Sequence, residues 1–201
     1  METTAKGLSI VILQHANLPK HGLSHVVVWL VCYLAFIFFT TQAFFSSPLL
    51  HEILIFISSI ALGVVTTTIL HEWFHLFGAF TGRAVYKIPR RLGTFIFDWD
   101  FDKNSVTQFY IMSILGSVGG LLAILLIANL LTPSDLGYRL AVTSAFSSFI
   151  FGSAIEWPVL YRTIKSGDPY AELAKITPRV LIISLMIAIL AGISIYLTTV
   201  F

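Results

Sequence analysis

The stretch Ile53–Phe80, ILIFISSIALGVVTTTILHEWFHLFGAF, decides how the rest of the chain is read. It is 28 residues long and apolar almost throughout, longer than the roughly 20 residues a helix needs to cross a bilayer. Three ionisable groups, His71, Glu72 and His75, interrupt it in its last third. A helix puts residues i and i+4 on one face, so His71 and His75 point the same way. Two imidazoles so placed can share one zinc ion, and the glutamate between them can act as general base on a metal-activated water. The bland alternative is a chance His-x-x-x-His pair on a buried helix. Ionisable groups are costly in hydrocarbon and usually mark function there, which favours the metal reading.

Outward from this stretch the chain keeps the same character. Its 201 residues are 57% hydrophobic and only 11% charged, with mean hydropathy +0.89. Soluble domains carry about 25% charge, so this is an integral membrane protein. Four further spans follow from the apolar runs: His25–Phe45, Val106–Leu131, Tyr138–Tyr161 and Arg179–Val200. The reading is an all-α single membrane domain over 1–201, with core spans over 53–161 and a polar loop over 81–105. Tight turns are expected at Ser46–Pro48 and Thr132–Ser134. The run Leu8–Leu13 is too short to span. The first long run has no small-residue cleavage site after it and reads as a retained helix. Cys32, the sole cysteine, excludes an internal disulfide and a thiolate metal site.

Orientation comes from the basic residues. Five spans put Lys6, Lys20, Arg83, Lys87, Arg90, Arg91, Lys103, Arg162, Lys165, Lys175 and Arg179 on one side, leaving only Arg139 of the 12 lysines and arginines on the other. The positive-inside rule then places the N-terminus in the cytoplasm and the C-terminus on the opposite side. His71 and His75 would lie roughly 10–16 Å below the cytoplasmic end of their helix.

A catalytic zinc takes three protein ligands and leaves a fourth position for water. Glu156 is the only acidic residue well inside the last three spans, at a depth comparable with His75. It is the expected third ligand, with Asp168 in reserve; an ion pair with Arg162 is its bland reading. Small residues recur every four positions on two spans: Gly63, Thr67, His71, His75 and Ala79 on the second, and Ser144, Ser148, Gly152 and Glu156 on the fourth. Gly116 and Gly120 mark the third. Small residues allow close helix approach, so spans two to four should form an inner three-helix core. Pro158 removes a backbone donor just beyond Glu156.

These residues resemble the site-2 protease-like intramembrane zinc metalloproteases, over roughly residues 60–165. The resemblance rests on His71-Glu72-Trp73-Phe74-His75, on the β-prone segment after it, and on Leu115-Gly116-Ser117-Val118-Gly119-Gly120-Leu121-Leu122. Members of that family take an aspartate as third ligand from the next core helix, a place that Glu156 occupies here. The family usually has Asp-Gly there, where this chain has Glu156-Trp157. As a small or divergent member, the chain is expected to be a zinc endopeptidase acting on a membrane protein or peptide substrate near the cytoplasmic face. The alternative is a non-proteolytic, zinc-stabilised subunit or chaperone of a membrane complex. Nothing in the charge pattern points to nucleic acid, and a transporter would show paired broken helices or repeats.

In the polar loop, Phe97 to Asp102 alternate strictly between apolar and acidic, the period of a half-buried strand. A short interfacial β-hairpin with Val85–Ile88 is expected, with aromatics toward lipid and acids toward water. Phe97, Trp99 and Phe101 are candidate substrate-binding residues, since an edge strand can bind an extended peptide by β-addition. The Asp98-x-Asp100-x-Asp102 spacing lacks the glycine and glutamate of a calcium loop. His15, His21, His25 and His51 are expected at the interface, outside the metal constellation.

Overall fold

The computed structural model describes residues 17–41, 47–131 and 136–198. The run Leu8–Leu13, His15, Ser46 and the turn at Thr132–Ser134 lie outside the described residues. Five helices are long and apolar enough to cross a membrane: α1 (Leu18–Thr41), α2 (Pro48–Thr81), α3 (Val106–Leu130), α4 (Leu136–Ser166) and α6 (Pro178–Thr198), with a short α5 (Pro169–Leu173) before the last. Their outward faces are lined with exposed leucine, isoleucine, valine and phenylalanine, which only lipid can cover favourably. The chain is a multi-pass membrane protein.

α2, α3 and α4 pack against one another as the inner trio; α1 leans on α2 and α6 on α4. Small residues set these approaches. A β-carbon on Gly63 would run into Ser144 and Ala141 of α4, and one on Gly78 would lie 2.7 Å from the Cα of Met112 on α3. The expected Gly116–Gly120 pair divides its work. Gly116 and Gly119 face α2, whereas Gly120 faces Phe149 on α4.

Four boundaries differ from the sequence expectation. α1 starts at Leu18, seven residues before His25, because Pro19 fits the first turn of a helix and the polar Lys20 and His21 that disguise the start are part of it. Ser47 caps α2, accepting from the Leu50 N–H at 3.4 Å, so that this helix starts at Pro48, five residues before Ile53. α4 runs on through Pro158 and the supposed loop to Ser166. Asp168 then caps α5, where a loop was expected.

The end of α2 fixes the start of the polar loop. Ala84 N–H donates to Ala79 O at 2.8 Å and Arg83 N–H to Phe80 O at 3.0 Å, with Arg83 in the left-handed region at φ 53°. This is a Schellman closure with arginine where glycine is usual. Gln108 on α3 donates to both Gly82 O and Arg83 O at 3.0 Å, and Asn104 exchanges hydrogen bonds with both backbone groups of Val85 at 2.6 and 2.7 Å. The chain therefore leaves α2 in one direction. It pairs β1 (Tyr86–Lys87) antiparallel with β2 (Asp98–Trp99), Tyr86 opposite Trp99. The hairpin exists but is only two residues deep.

Candidate metal centre

His71 and His75 stand one turn apart on α2 and face α4. His71 Nε2 lies 2.8 Å from Glu156 Oε1, His75 Nε2 lies 3.2 Å from the same oxygen, and the two Nε2 atoms are 2.9 Å apart. A triangle with these edges fits a circle of radius about 1.7 Å, so a point about 2.0–2.1 Å from all three atoms exists, the distance at which zinc binds nitrogen and oxygen donors. Sequence depth and structure thus bring the same three side chains together.

Proton accounting shows what the triangle lacks. His75 Nδ1 lies 3.0 Å from the Met112 carbonyl, which can only accept, so this nitrogen carries the proton and Nε2 presents a lone pair. With both rings neutral, His71 has one N–H for two neighbours. The contact between His75 Nε2 and Glu156 Oε1 then sets lone pair against lone pair. The second oxygen, Glu156 Oε2, is buried with no hydrogen-bond partner. Buried acceptors facing one another are costly; a second imidazole proton or a divalent cation among them removes the conflict. The Met112 carbonyl fixes the orientation of the His75 imidazole.

The next turn of α3 shapes the same ring: a β-carbon on Gly116 would collide with the His75 imidazole. Glu72 is 8% exposed and brings a carboxylate oxygen within 4.8 Å of ligand atoms of both His71 and His75. Two carboxylates therefore flank the imidazoles. Glu156 is in direct contact with both, and Glu72 stands somewhat further out.

Glu72, His75 and Glu156 open together on a cavity of about 320 Å³ whose other walls include Phe95, Phe97, Trp99, Phe101 and Ser113. This corrects the expectation for the loop. The alternation is real, but Phe97, Trp99 and Phe101 turn inward over the cavity instead of toward lipid. Trp99 packs edge-on against Phe109, Phe97 against Tyr86 and Phe101 against Tyr170. Burying three rings over an apolar chamber outweighs leaving them at the interface. Asp98, Asp100 and Asp102 line a second cavity of about 620 Å³ with Asp168, and Trp99 and Phe101 border both. There the Lys103 ammonium, 2.8 Å from Asp100, holds that carboxyl below the usual carboxylate range.

Asp168 takes no part in the centre; its carboxylate accepts from Ala171 N–H at 2.9 Å. A larger cleft, about 910 Å³, opens between α2, α4 and α6, but it holds none of His71, Glu72, His75 or Glu156. His21 and His25 are buried rather than interfacial, at 0% and 9% exposure; their i, i+4 spacing on α1 was a signal for a shared task. The chain has no significant match among protein-family models, curated proteins or solved structures.

Proposed function

We propose that this chain is an intramembrane zinc endopeptidase, of the site-2 protease-like kind its motif resembles. It would cut a peptide bond in or beside a membrane-spanning segment. The observation that carries this reading is the convergence of His71 Nε2, His75 Nε2 and Glu156 Oε1 at 2.8–3.2 Å, with Glu72 beside them and an aromatic-lined cavity in front. The one-sided distribution of lysine and arginine supports a cytoplasmic position for the centre.

In this reading His71, His75 and Glu156 hold zinc. When bound, the ion supplies Lewis acidity, lowering the pKa of a coordinated water and polarising the scissile carbonyl. Glu72 takes a proton from the attacking water as its oxygen bonds the carbonyl carbon, and returns it to the amine nitrogen as the C–N bond breaks. Met112 O and Gly116 keep the His75 ring in place through both steps. Phe97, Trp99 and Phe101 exclude bulk water and offer apolar walls to the substrate's side chains.

The test pairs zinc analysis with cleavage of a single-span peptide reconstituted in liposomes. The wild type should carry one zinc and cleave; His71→Ala, His75→Ala and Glu156→Ala should lose both. Glu72→Gln should keep zinc and lose cleavage. A Glu72→Gln protein cleaving at the wild-type rate sinks the proposal. Bound zinc in every intact protein with hydrolysis in none would favour the non-proteolytic subunit instead.

A further inference from the structure

From Pro89 to Ile96 the backbone makes no hydrogen bond to another backbone group among the described residues. This segment nevertheless leads directly into Phe97, Trp99 and Phe101, the wall of the metal cavity, and Ile96 within it is fully buried. Something other than a ladder must hold it.

Three side chains spaced four residues apart do so, Asn17 just before α1 and His21 and His25 on it. Asn17 Nδ2 donates to Ile88 O at 3.4 Å, His21 Nε2 donates to Pro89 O at 3.0 Å, and His25 Nε2 donates to Gly93 O at 3.2 Å. The tautomer of His25 is fixed from the other side. The indole of Trp73 can only donate, and its Nε1–H lies 3.1 Å from His25 Nδ1. His25 Nδ1 is therefore the acceptor, and the ring's proton sits on Nε2, where Gly93 O requires it. Trp73 belongs to the same turn as Glu72, so one imidazole joins this segment to the helix that carries His71, Glu72 and His75.

We propose that Asn17, His21 and His25 form a latch that seats residues 88–97, whose Phe95 and Phe97 line the cavity in front of His75 and Glu156, with His25 tying the segment to Trp73. Release of the latch moves Phe95 and Phe97 and widens the cavity for an extended peptide while the inner helices stay in place. These are positioning residues: they touch neither the metal donors nor the reacting atoms. The inference adds access control to the proposed hydrolysis, but it does not need the hydrolysis to be tested.

The experiment uses the full chain in detergent with Cys32→Ala, carrying either Ile96→Cys in the 88–97 segment or Leu62→Cys in the separate core cluster of α1–α4, and follows labelling by a maleimide. With the latch intact both positions should label slowly. His25→Leu should speed labelling at Ile96→Cys by about tenfold or more, the mark of a local opening. It should leave Leu62→Cys unchanged. His25→Gln keeps one donor and one acceptor, so its labelling should stay within about twofold of the parent. His21→Leu should act in the same direction as His25→Leu. Equal rates in the leucine and glutamine variants would overturn the latch, as would acceleration at Leu62→Cys as large as at Ile96→Cys. Zinc content and the Glu72→Gln comparison decide the peptidase reading separately.

Discussion

Gly116 on α3 lies directly against the imidazole of His75, so that a β-carbon there would stand 2.5 Å from both ring nitrogens. The opposing atoms are a ring already tied to Met112 O, with little freedom to give way. Gly116→Ala should therefore displace the ring and weaken zinc binding by at least about tenfold, the scale of losing an orienting partner. Gly152 is the internal control. A β-carbon there would meet only His71 Cε1, at 3.9 Å, an ordinary contact, so Gly152→Ala should keep its zinc. Metal analysis of the two purified variants checks the contrast. Equal zinc content would mean that Gly116 does not position His75.

The two carboxylates should separate cleanly by substitution. Glu156 touches both imidazoles and Glu72 touches neither at hydrogen-bond distance. Glu156→Gln keeps an oxygen but loses the charge, and should lower zinc affinity by about tenfold or more. Glu72→Gln should bind zinc normally and slow hydrolysis by about 10²–10⁴-fold, the usual contribution of a general base. Competition with a zinc-binding dye gives the first quantity and peptide cleavage the second. Loss of zinc in Glu72→Gln with retention in Glu156→Gln would exchange the two roles.

Apolar run length and small-residue spacing made the five spans and the inner trio legible, because lipid imposes both without reference to the rest of the fold. Glu156 was legible for a related reason: a lone carboxylate at the depth of His75 has few ways to be satisfied. The loop was legible only as a period. Alternation told Phe97, Trp99 and Phe101 apart from Asp98, Asp100 and Asp102, but not which face lies inward, since that depends on a cavity built by α2, α3 and α4. The tasks of His21 and His25 were hidden because their partners are backbone carbonyls, which leave no trace in side-chain identity. The low hydropathy of α4, 1.2 against 2.2 or more for the other spans, reflects its hydroxyl stripe and Glu156 facing inward.

Helix approach at the far end of the trio rests on Gly63. Its missing side chain leaves room for Ser144 and the backbone of Ala141 and Ala145, and one turn on, Thr67 reaches across to Ala145 O at 3.3 Å. Gly63→Ala sets a methyl against the backbone of α4, which cannot move aside as a flexible side chain would. The expected cost is about 1–3 kcal/mol, as for other overpacked cores. A lower melting temperature in detergent, with zinc still bound at saturating metal, would match a purely packing effect. An unchanged melting temperature would show that α2 and α4 have slack at this level.

Acid should loosen the α4–α5 corner before it reaches the rest of the fold. Glu172 is 3% exposed, with Lys175 Nζ at 2.7 Å and Arg162 Nε at 2.9 Å. The Lys175 hydrogen bond, helped by Arg162, holds its carboxyl below the ordinary value of 4.5. A group whose folded pKa is depressed stabilises the fold fully above its unfolded pKa and loses that contribution as pH falls through the folded one. Hydrogen exchange across 162–176 should thus be flat at neutral pH and should rise, relative to the intrinsic rate, as the pH drops below 4.5. Glu172→Gln has no such proton to take up, so its protection should be lower at pH 7 and indifferent to acid over the same range. If the variant and the wild type lost protection in parallel, the acid response would have to come from another carboxylate, and the Arg162–Glu172–Lys175 cluster would not be what pins α5 to α4.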